Sequence, residues 1–283
     1  PAMSQLGISH WAIRNPIPVA VLFFIYGAKI SPAAIWTGIT HWRLQGLIFG
    51  TTFVVFPLIG FGVVMLAGGY LDSGLATGLM FVCLLPSTVQ SSIAFTSIAR
   101  GNVPAALCAA SVSNLAGVVI TPLLATMFLS AHSGGLSLDA VRDIALQILL
   151  PFIVGQCARP LVGDWFTRQR TLTMLVDRGS ILLVVYSAFS AGVVAGIWSQ
   201  VTPQMLALVL VLNMVILALV LIFTTVTARS LSFSVEDEIA IVFCGSKKSM
   251  ASGLPMANII FSAGTVGLIV LPLMLFHQMQ LMV

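Results

Sequence analysis

The stretch FCGSKKSMASG, Phe243–Gly253, places two adjacent lysines in the middle of a run that is otherwise apolar enough to span a membrane. At the centre of a transmembrane helix a lysine costs about 2.5–3.5 kcal/mol on insertion scales, whereas an aliphatic residue contributes only about 0.3–0.6 kcal/mol. Lys247 and Lys248 lie about ten residues, or about 15 Å, from either end of their span, which is too deep for snorkelling alone. Both lysines are therefore expected to have partners inside the protein.

The composition around this stretch indicates a polytopic membrane protein. Of 283 residues, 59% are hydrophobic and 7% are charged, and the mean hydropathy is +1.09, whereas soluble domains usually carry about 25% charged residues. The basic residues form no cluster suited to a phosphate backbone, and the cysteines lack metal-binding spacing. We therefore expect membrane lipid as the surroundings, with no nucleic acid partner and no metal or other cofactor.

Nine apolar runs have a length near the roughly 20 residues that a bilayer requires. If these spans alternate across the membrane, only Arg14 and Arg142 lie on one side. The opposite side receives the other lysines and arginines apart from Lys247 and Lys248, namely Lys29, Arg43, Arg100, Arg159, Arg168, Arg170, Arg178 and Arg229. The positive-inside rule makes that opposite side cytoplasmic and predicts a cytoplasmic C-terminus. The predicted spans are residues 12–30, 44–68, 73–99, 103–129, 141–162, 179–199, 204–227, 237–260 and 264–283.

The third and eighth predicted spans differ from the others because their centres are polar and contain helix-weakening residues. Pro86 interrupts the third, while Gly245, Gly253 and Pro255 weaken the eighth. A single proline can be a harmless kink, but an interruption in two spans that lie five spans apart predicts an inverted repeat with a shared site at the midplane. Two complete halves need ten spans, so one helix is expected to precede Pro1.

The polar residues of these spans form the candidate site. All acidic residues lie in loops or at span ends, so the lysines either lose their protons through desolvation, are solvated by carbonyls, hydroxyls and water, or meet an anion brought by the substrate. Neighbouring helical positions point about 100° apart, so one lysine is expected to face the cavity while the other ties the broken helix by donating to carbonyls. The predicted substrate-binding or ion-binding residues are Lys247, Lys248, Ser246, Ser249, Gln90, Ser91, Ser92, Thr88, Ser87, Asn114 and Asn258.

Several functional classes have no support in the sequence. It contains no phosphate-binding GxxxxGK[ST] loop, no intramembrane pair of acids and no HExxH motif, so an enzyme is not expected. Paired broken helices favour alternating access over the continuous pore of a channel.

The order of motifs resembles that of the bile acid:sodium symporter family. The resemblance rests on LLPSTVQSSIAFTSIARGNVPAAL (84–107), SNLAGVVITPLLA (113–125), GSKKS (245–249), GLPMAN (253–258) and VLPLMLFHQ (270–278). It is stronger for the branch named after sodium/bile acid cotransporter 7 and its bacterial relatives, which implies a bacterial inner membrane. It also implies ten helices in two inverted five-helix repeats whose broken helices cross in a core domain, here 44–129 and 204–283, beside a panel domain, 1–43 and 141–199.

The sequence departs from this family where sodium is expected to bind. In sodium-coupled members a glutamate stands at the position of Phe243, a serine and a threonine at those of Ala106 and Ala110, and a glutamine at that of Thr52. Of the side chains expected at the first sodium site, Ser91 alone is retained. The resemblance therefore implies that coupling through the family's usual sodium sites is lost.

These departures lead to a hypothesis for the lysines. Lys247, alone or together with Lys248, would act as a built-in cation in place of sodium, with its ammonium group contacting Gln90, Ser91 and freed backbone carbonyls. Lys247→Ala is expected to weaken binding of an anionic ligand by more than Lys248→Ala. The preferred function is a secondary transporter of an organic or amphipathic anion, and the alternative is a non-transporting membrane regulator or sensor built on a transporter scaffold.

Overall fold

Every regular element in the described part of the chain is helical. The computed structural model describes residues 20–21, 23–25, 28, 41–67, 69–133, 146, 149–169, 179, 186, 196, 201–261 and 265–283, with only the backbone described at 130–133, 164 and 166–168. Helix α1, Trp42–Ala67, contains a π-helical turn at Thr51–Val55. The other helices are α2 (Ser73–Leu84), α3 (Gln90–Ile98), α4 (Val103–Ser133), α5 (Leu150–Arg168), α6 (Pro203–Ser230), α7 (Val235–Ser246), α8 (Met250–Ile260) and α9 (Val266–Met282).

Three of the described helices are long and apolar enough to cross a membrane. They are α1, the Val103–Leu129 part of α4, and α6. Most of the predicted spans at 12–30 and 179–199, and part of the span at 141–162, lie outside the described residues. The arrangement of nine spans therefore stays a prediction.

The chain divides into two compact units. One comprises Pro1–Ser31, Leu136–Gln200 and Leu254–Val270, and the other comprises Pro32–Gly135, Val201–Gly253 and Leu271–Val283. In the first unit, Gly155 of α5 packs so closely on the backbone of Phe24 that a Cβ atom would overlap its carbonyl oxygen. The second unit contains both helix interruptions. The panel and core domains inferred from the family resemblance stay a prediction.

Small residues allow the helices of the second unit to approach closely. Its buried cluster combines large side chains of α1 with alanines of α4, α6 and α7, and small residues at helix interfaces bring backbones together. The cluster consists of Leu44, Ile48, Ala105, Ala106, Ala109, Ala228, Ala240, Ile241 and Cys244. Gly117 of α4 continues this pattern, because a Cβ atom there would lie 2.6 Å from Cβ of Pro86. Helix α4 thus packs directly on the segment that follows α2.

The start of α7 is fixed by a cap and by a neighbouring loop. The Ser234 hydroxyl accepts a hydrogen bond from the Asp237 N–H at 3.2 Å, as expected of an N-cap serine. Asn102, between α3 and α4, donates its backbone N–H to the Glu236 carbonyl at 2.9 Å and its amide to the Asp237 carboxylate at 2.7 Å. These bonds set the position at which α7 enters the unit.

Candidate functional site

Two helices of the second unit are interrupted by non-helical backbone. Helix α2 ends at Leu84 and α3 begins at Gln90, while α7 ends at Ser246 and α8 begins at Met250. Leu85 and Lys247, the first residues after α2 and α7, have extended backbone angles. Pro255 lies within α8, so the interruption of the eighth predicted span occurs earlier than that proline suggests. The sequence thus predicts both interruptions, with the second one displaced to the lysines.

The two interruptions hydrogen-bond directly to each other. The Ser249 N–H donates to the Pro86 carbonyl at 2.9 Å, and the Ser87 hydroxyl donates to the Cys244 carbonyl at 2.6 Å. The Ser92 hydroxyl donates to the Phe243 carbonyl at 3.1 Å. Lipid could not satisfy the backbone groups that leave the helical pattern here. Each interruption therefore supplies part of the hydrogen bonding that the other one lacks.

Lys248 is fully buried at the crossing of the two interruptions. Its ammonium group donates to the carbonyl oxygens of Thr52 at 2.9 Å, Cys83 at 3.0 Å and Leu85 at 2.7 Å. An ammonium group has three N–H donors, so these three carbonyls use all of them. Nζ also lies 4.0 Å from the centroid of the Phe56 ring, at a distance typical of a cation–π contact.

The three carbonyls that hold Lys248 come from special points of the backbone. Thr52 lies in the π-helical turn of α1, and such turns alter the local backbone hydrogen bonding and often occur at functional sites. Cys83 and Leu85 lie at the end of α2, where the helix dipole places partial negative charge. The site therefore concentrates carbonyl dipoles around one buried cation.

Lys247 has different surroundings and is 3% exposed. Its ammonium group donates to the Gln280 carbonyl and lies 4.0 Å from the Phe95 ring centroid and 5.5 Å from that of Phe243. The expected contacts with Gln90 and Ser91 do not occur among its described hydrogen bonds. The reason is that Lys247 is extended, and successive side chains in extended backbone point to opposite sides rather than 100° apart. The carbonyl contacts predicted for Lys247 are largely made by Lys248.

Gln280 of α9 is buried, and its side-chain amide hydrogen-bonds to the backbone N–H and carbonyl of Lys248. We call this pair of hydrogen bonds the clasp. The Lys248 N–H donates to Gln280 Oε1 at 2.7 Å, and Gln280 Nε2 donates to the Lys248 carbonyl at 2.9 Å. Gln280 Nε2 also lies 2.9 Å from Nδ1 of His277. Sequence reasoning missed this residue, although a glutamine three positions after a histidine in an apolar run is a usable signal.

A second polar network joins α8 to α4 and to the first interruption. The Ser249 and Ser252 hydroxyls are 3.1 Å apart, and the Ser252 hydroxyl donates to Oδ1 of Asn114 at 2.8 Å. The Asn114 amide donates in turn to the carbonyls of Ser87 and Ala110. Of the predicted site residues, Ser87, Ser249 and Asn114 are therefore brought together.

Other predicted site residues are more peripheral. Thr88 is partly exposed and Gln90 is exposed. Ser246 is buried beside the lysines in sequence, while the Asn258 amide donates to the Leu254 carbonyl within α8. Among the contacts of the described residues, none therefore unites these four residues with the lysine site.

The positions at which the family resemblance implies sodium ligands do not fit a sodium ion. Phe243, Ala106 and Ala110 have no side-chain oxygen, and the Thr52 hydroxyl donates to a carbonyl of its own helix at 2.8 Å. Ser91 Oγ is buried without a hydrogen-bond partner among the described residues, so it is the remaining candidate ligand. Hard cations such as calcium take about six or more oxygen ligands. By analogy, one serine hydroxyl does not form a sodium cage.

Comparisons with known proteins assign the chain to a family. A family model described as the SBF-like CPA transporter family matches residues 3–283. "Uncharacterized protein PA2026" of Pseudomonas aeruginosa is 55% identical over 284 residues, which cover 100% of this chain and 85% of that protein. "Putative symporter YfeH" of Escherichia coli is 49% identical over 265 residues, covering 94% of this chain and 80% of that protein.

A more distant relative matches over nearly the same length. "Sodium/bile acid cotransporter 7" of Rattus norvegicus is 26% identical over 269 residues, which cover 94% of this chain and 79% of that protein. The resemblance inferred from the motifs is thereby confirmed. The chain belongs to the SBF-like CPA transporter family, and it is an integral membrane transporter of a small molecule rather than an enzyme.

Proposed function

We propose that this protein is a secondary active transporter of an organic or amphipathic anion that works by alternating access without sodium at the family's usual sites. In this proposal the fold consists of two inverted repeats with two crossed broken helices, and a core moves against a panel. It lies in the bacterial inner membrane with a cytoplasmic C-terminus. The observation that carries the proposal is the buried ammonium group of Lys248, held by three backbone carbonyls.

The carbonyl contacts of Lys248 support the proposal that this side chain acts as a built-in cation. A sodium ion at a helix crossing would neutralise carbonyl dipoles and would bind and leave with each cycle. The Lys248 ammonium group performs the same neutralisation through hydrogen bonds to Thr52, Cys83 and Leu85, but it is covalently attached to the chain. This arrangement accounts for apolar residues at Phe243, Ala106 and Ala110, because no ligand cage is then required.

The charge balance at the crossing supports an anionic substrate. Two lysines lie side by side, and among the described residues the one ion pair, between Arg229 and Glu238, lies elsewhere. The acidic residues whose side chains the structure describes lie at the starts of α2 and α7, outside the crossing. An anion would offset the positive charge, and Lys247 is the better partner because Lys248 has already used its three donors.

Ligand binding to lysine variants tests this division of roles. Lys247→Ala is expected to weaken binding of an anionic ligand at least about tenfold, which corresponds to about 1.4 kcal/mol. Lys248→Ala is expected to reduce stability more than affinity. A thermal-shift screen of anionic metabolites and steroids with the purified protein would identify the ligand, and titration of both variants would give the affinities.

The same screen in sodium chloride and potassium chloride at equal ionic strength tests sodium coupling. The proposal predicts equal ligand affinities in both salts. A ligand that binds in sodium chloride alone would show that the protein has a functional sodium site. An equal loss of affinity in both lysine variants would contradict the separate roles of Lys247 and Lys248.

A further inference from the structure

The orientation of the Gln280 amide is fixed by the backbone that it contacts. The Lys248 N–H can only donate, so the atom 2.7 Å from it must be the amide oxygen. The Lys248 carbonyl can only accept, so the atom 2.9 Å from it must be the amide nitrogen. A flipped amide would place its nitrogen against the Lys248 N–H and its oxygen against the Lys248 carbonyl, so neither contact would be a hydrogen bond.

This orientation determines the protonation state of His277. Gln280 Nε2 is a donor without a lone pair for hydrogen bonding, and it lies 2.9 Å from His277 Nδ1. Nδ1 must therefore accept, which requires an unprotonated Nδ1 and places the proton of the neutral ring on Nε2. The contact with Gln280 therefore fits a neutral His277 whose Nδ1 is unprotonated.

Protonation of His277 would place two donors against each other. Nδ1–H would then face the Gln280 amide, which would lose one of its two acceptors, while the Lys248 backbone that also lies near the ring would offer an alternative acceptor. Gln280 is the side chain that holds both peptide groups of Lys248. A proton at His277 thus acts directly on the contact between α9 and the second interruption.

The charges that face His277 do not compensate for an added proton. Lys247 acts on the ring from the second interruption and opposes an added proton, whereas a hydrogen bond with the backbone of Lys248 in the same segment favours it. Phe56 of α1 packs on the neighbouring Phe276 and brings no charge. Asn213 of α6, which donates to the Pro272 carbonyl of α9, is also uncharged. Among these described contacts there is no carboxylate to stabilise a protonated His277 in the clasped state.

We propose that His277 is a proton-binding site and that proton binding there releases the Lys248 peptide from Gln280. In a transporter without a complete sodium cage, this makes the proton the ion that drives the conformational change. The role in transport rests on the proposed function, whereas the protonation site and the release of the clasp do not. The experiment below needs no substrate, so its failure is distinguishable from a failure of anion transport.

Nitrogen-15 NMR of the histidine-labelled protein in detergent measures the tautomer. At pH 8 the His277 signals are expected to show a protonated Nε2 and an unprotonated Nδ1. The signals are assigned by their loss in His277→Asn or, if that variant does not fold, by removal of His10, His41 and His132. A His277 ring with a protonated Nδ1 at pH 8 would overturn the proposal.

Hydrogen–deuterium exchange of the Lys247–Ser249 segment measures the clasp. In His277→Asn, the side-chain oxygen takes the position of Nδ1 and accepts a hydrogen bond from Gln280 at every pH. Amide exchange also depends on pH by itself, and comparing the parent protein with this variant at equal pH removes that dependence. We expect equal rates at pH 8 and, at pH 5, at least about tenfold faster exchange in the parent protein. The same ratio at both pH values would overturn the proposal.

His41→Asn is the matched control for a histidine without this contact. His41 is exposed before α1, and its side chain makes no capping hydrogen bond. This variant is expected to follow the parent protein at both pH values. A loss of the pH effect in His41→Asn would assign the titration to a different histidine and contradict the role of His277.

Discussion

The two helix interruptions perform the same structural task with different chemistry. Hydroxyl groups of Ser87, in the first interruption, and Ser92, in the helix α3 that follows it, donate to the carbonyls of Cys244 and Phe243 near the end of α7. At the second interruption the Lys248 ammonium group donates to carbonyls at the end of α2. Each interruption thus satisfies the helix that leads into the other. One side uses neutral hydroxyl donors, and the other uses the side chain of a buried lysine.

The largest effect is expected when the ammonium group of Lys248 is removed, because the second interruption then no longer satisfies the end of α2. Lys248→Met retains an unbranched side chain but leaves three carbonyls without their donor. Each unmet buried acceptor costs about 1–3 kcal/mol, so the melting temperature is expected to fall by roughly 10 °C. Thermal unfolding in detergent measures this change in melting temperature.

Lys247→Met is the matched control, because it removes the same group from the next residue but frees one carbonyl, that of Gln280. Its loss of thermal stability should be clearly smaller. If both variants melt at the same temperature, the three-carbonyl arrangement does not distinguish Lys248.

Loss of the clasp from α9 should have the next largest effect. Gln280→Met keeps a similar side-chain volume but leaves the N–H and carbonyl of Lys248 without their partner, and each unmet group costs about 1–3 kcal/mol. Thermal unfolding and exchange of the Lys247–Ser249 amides should both report the loss. Gln278→Met, at an exposed position on the same helix, is the control and should leave both unchanged.

The smallest effect is expected for the neutral hydroxyl donors near the first interruption. Ser92→Ala removes one hydrogen bond to the Phe243 carbonyl and should cost about 0.5–1.5 kcal/mol. Ser111→Ala removes a hydroxyl that donates within α4 and is expected to cost less. Chemical or thermal unfolding of both variants gives the comparison, and a Ser92→Ala effect larger than that of Lys248→Met would reverse the proposed order.

The sequence predicts the interruptions well but not the direction of the lysine side chains. Composition alone indicates a crossing of two broken helices, because two lysines are costly in an apolar span and the third predicted span has a polar centre. Lys247 and Lys248 were expected to diverge as on a helix, whereas the backbone at Lys247 is extended. Local backbone angles of this kind depend on tertiary contacts, so a pattern of residue types does not determine them.

The partners of the lysines are hard to predict because they are distant in sequence or belong to the backbone. Thr52 and Cys83 contribute carbonyl oxygens, which every residue has, so their identity carries no signal. Gln280 lies 32 positions after Lys248. Its amide is visible in the sequence, but its role becomes apparent only when α9 is placed beside the second interruption.

Sodium binding to the ligand-free protein shows whether Lys248 takes the place of a bound sodium ion. The measurement is a titration of the purified protein with sodium chloride against potassium chloride at constant total ionic strength, with thermal stability as the readout. Because the Lys248 ammonium group already neutralises the carbonyls at the crossing, the account predicts the same melting temperature at every ratio of the two salts. A saturable rise in melting temperature with sodium alone would contradict it.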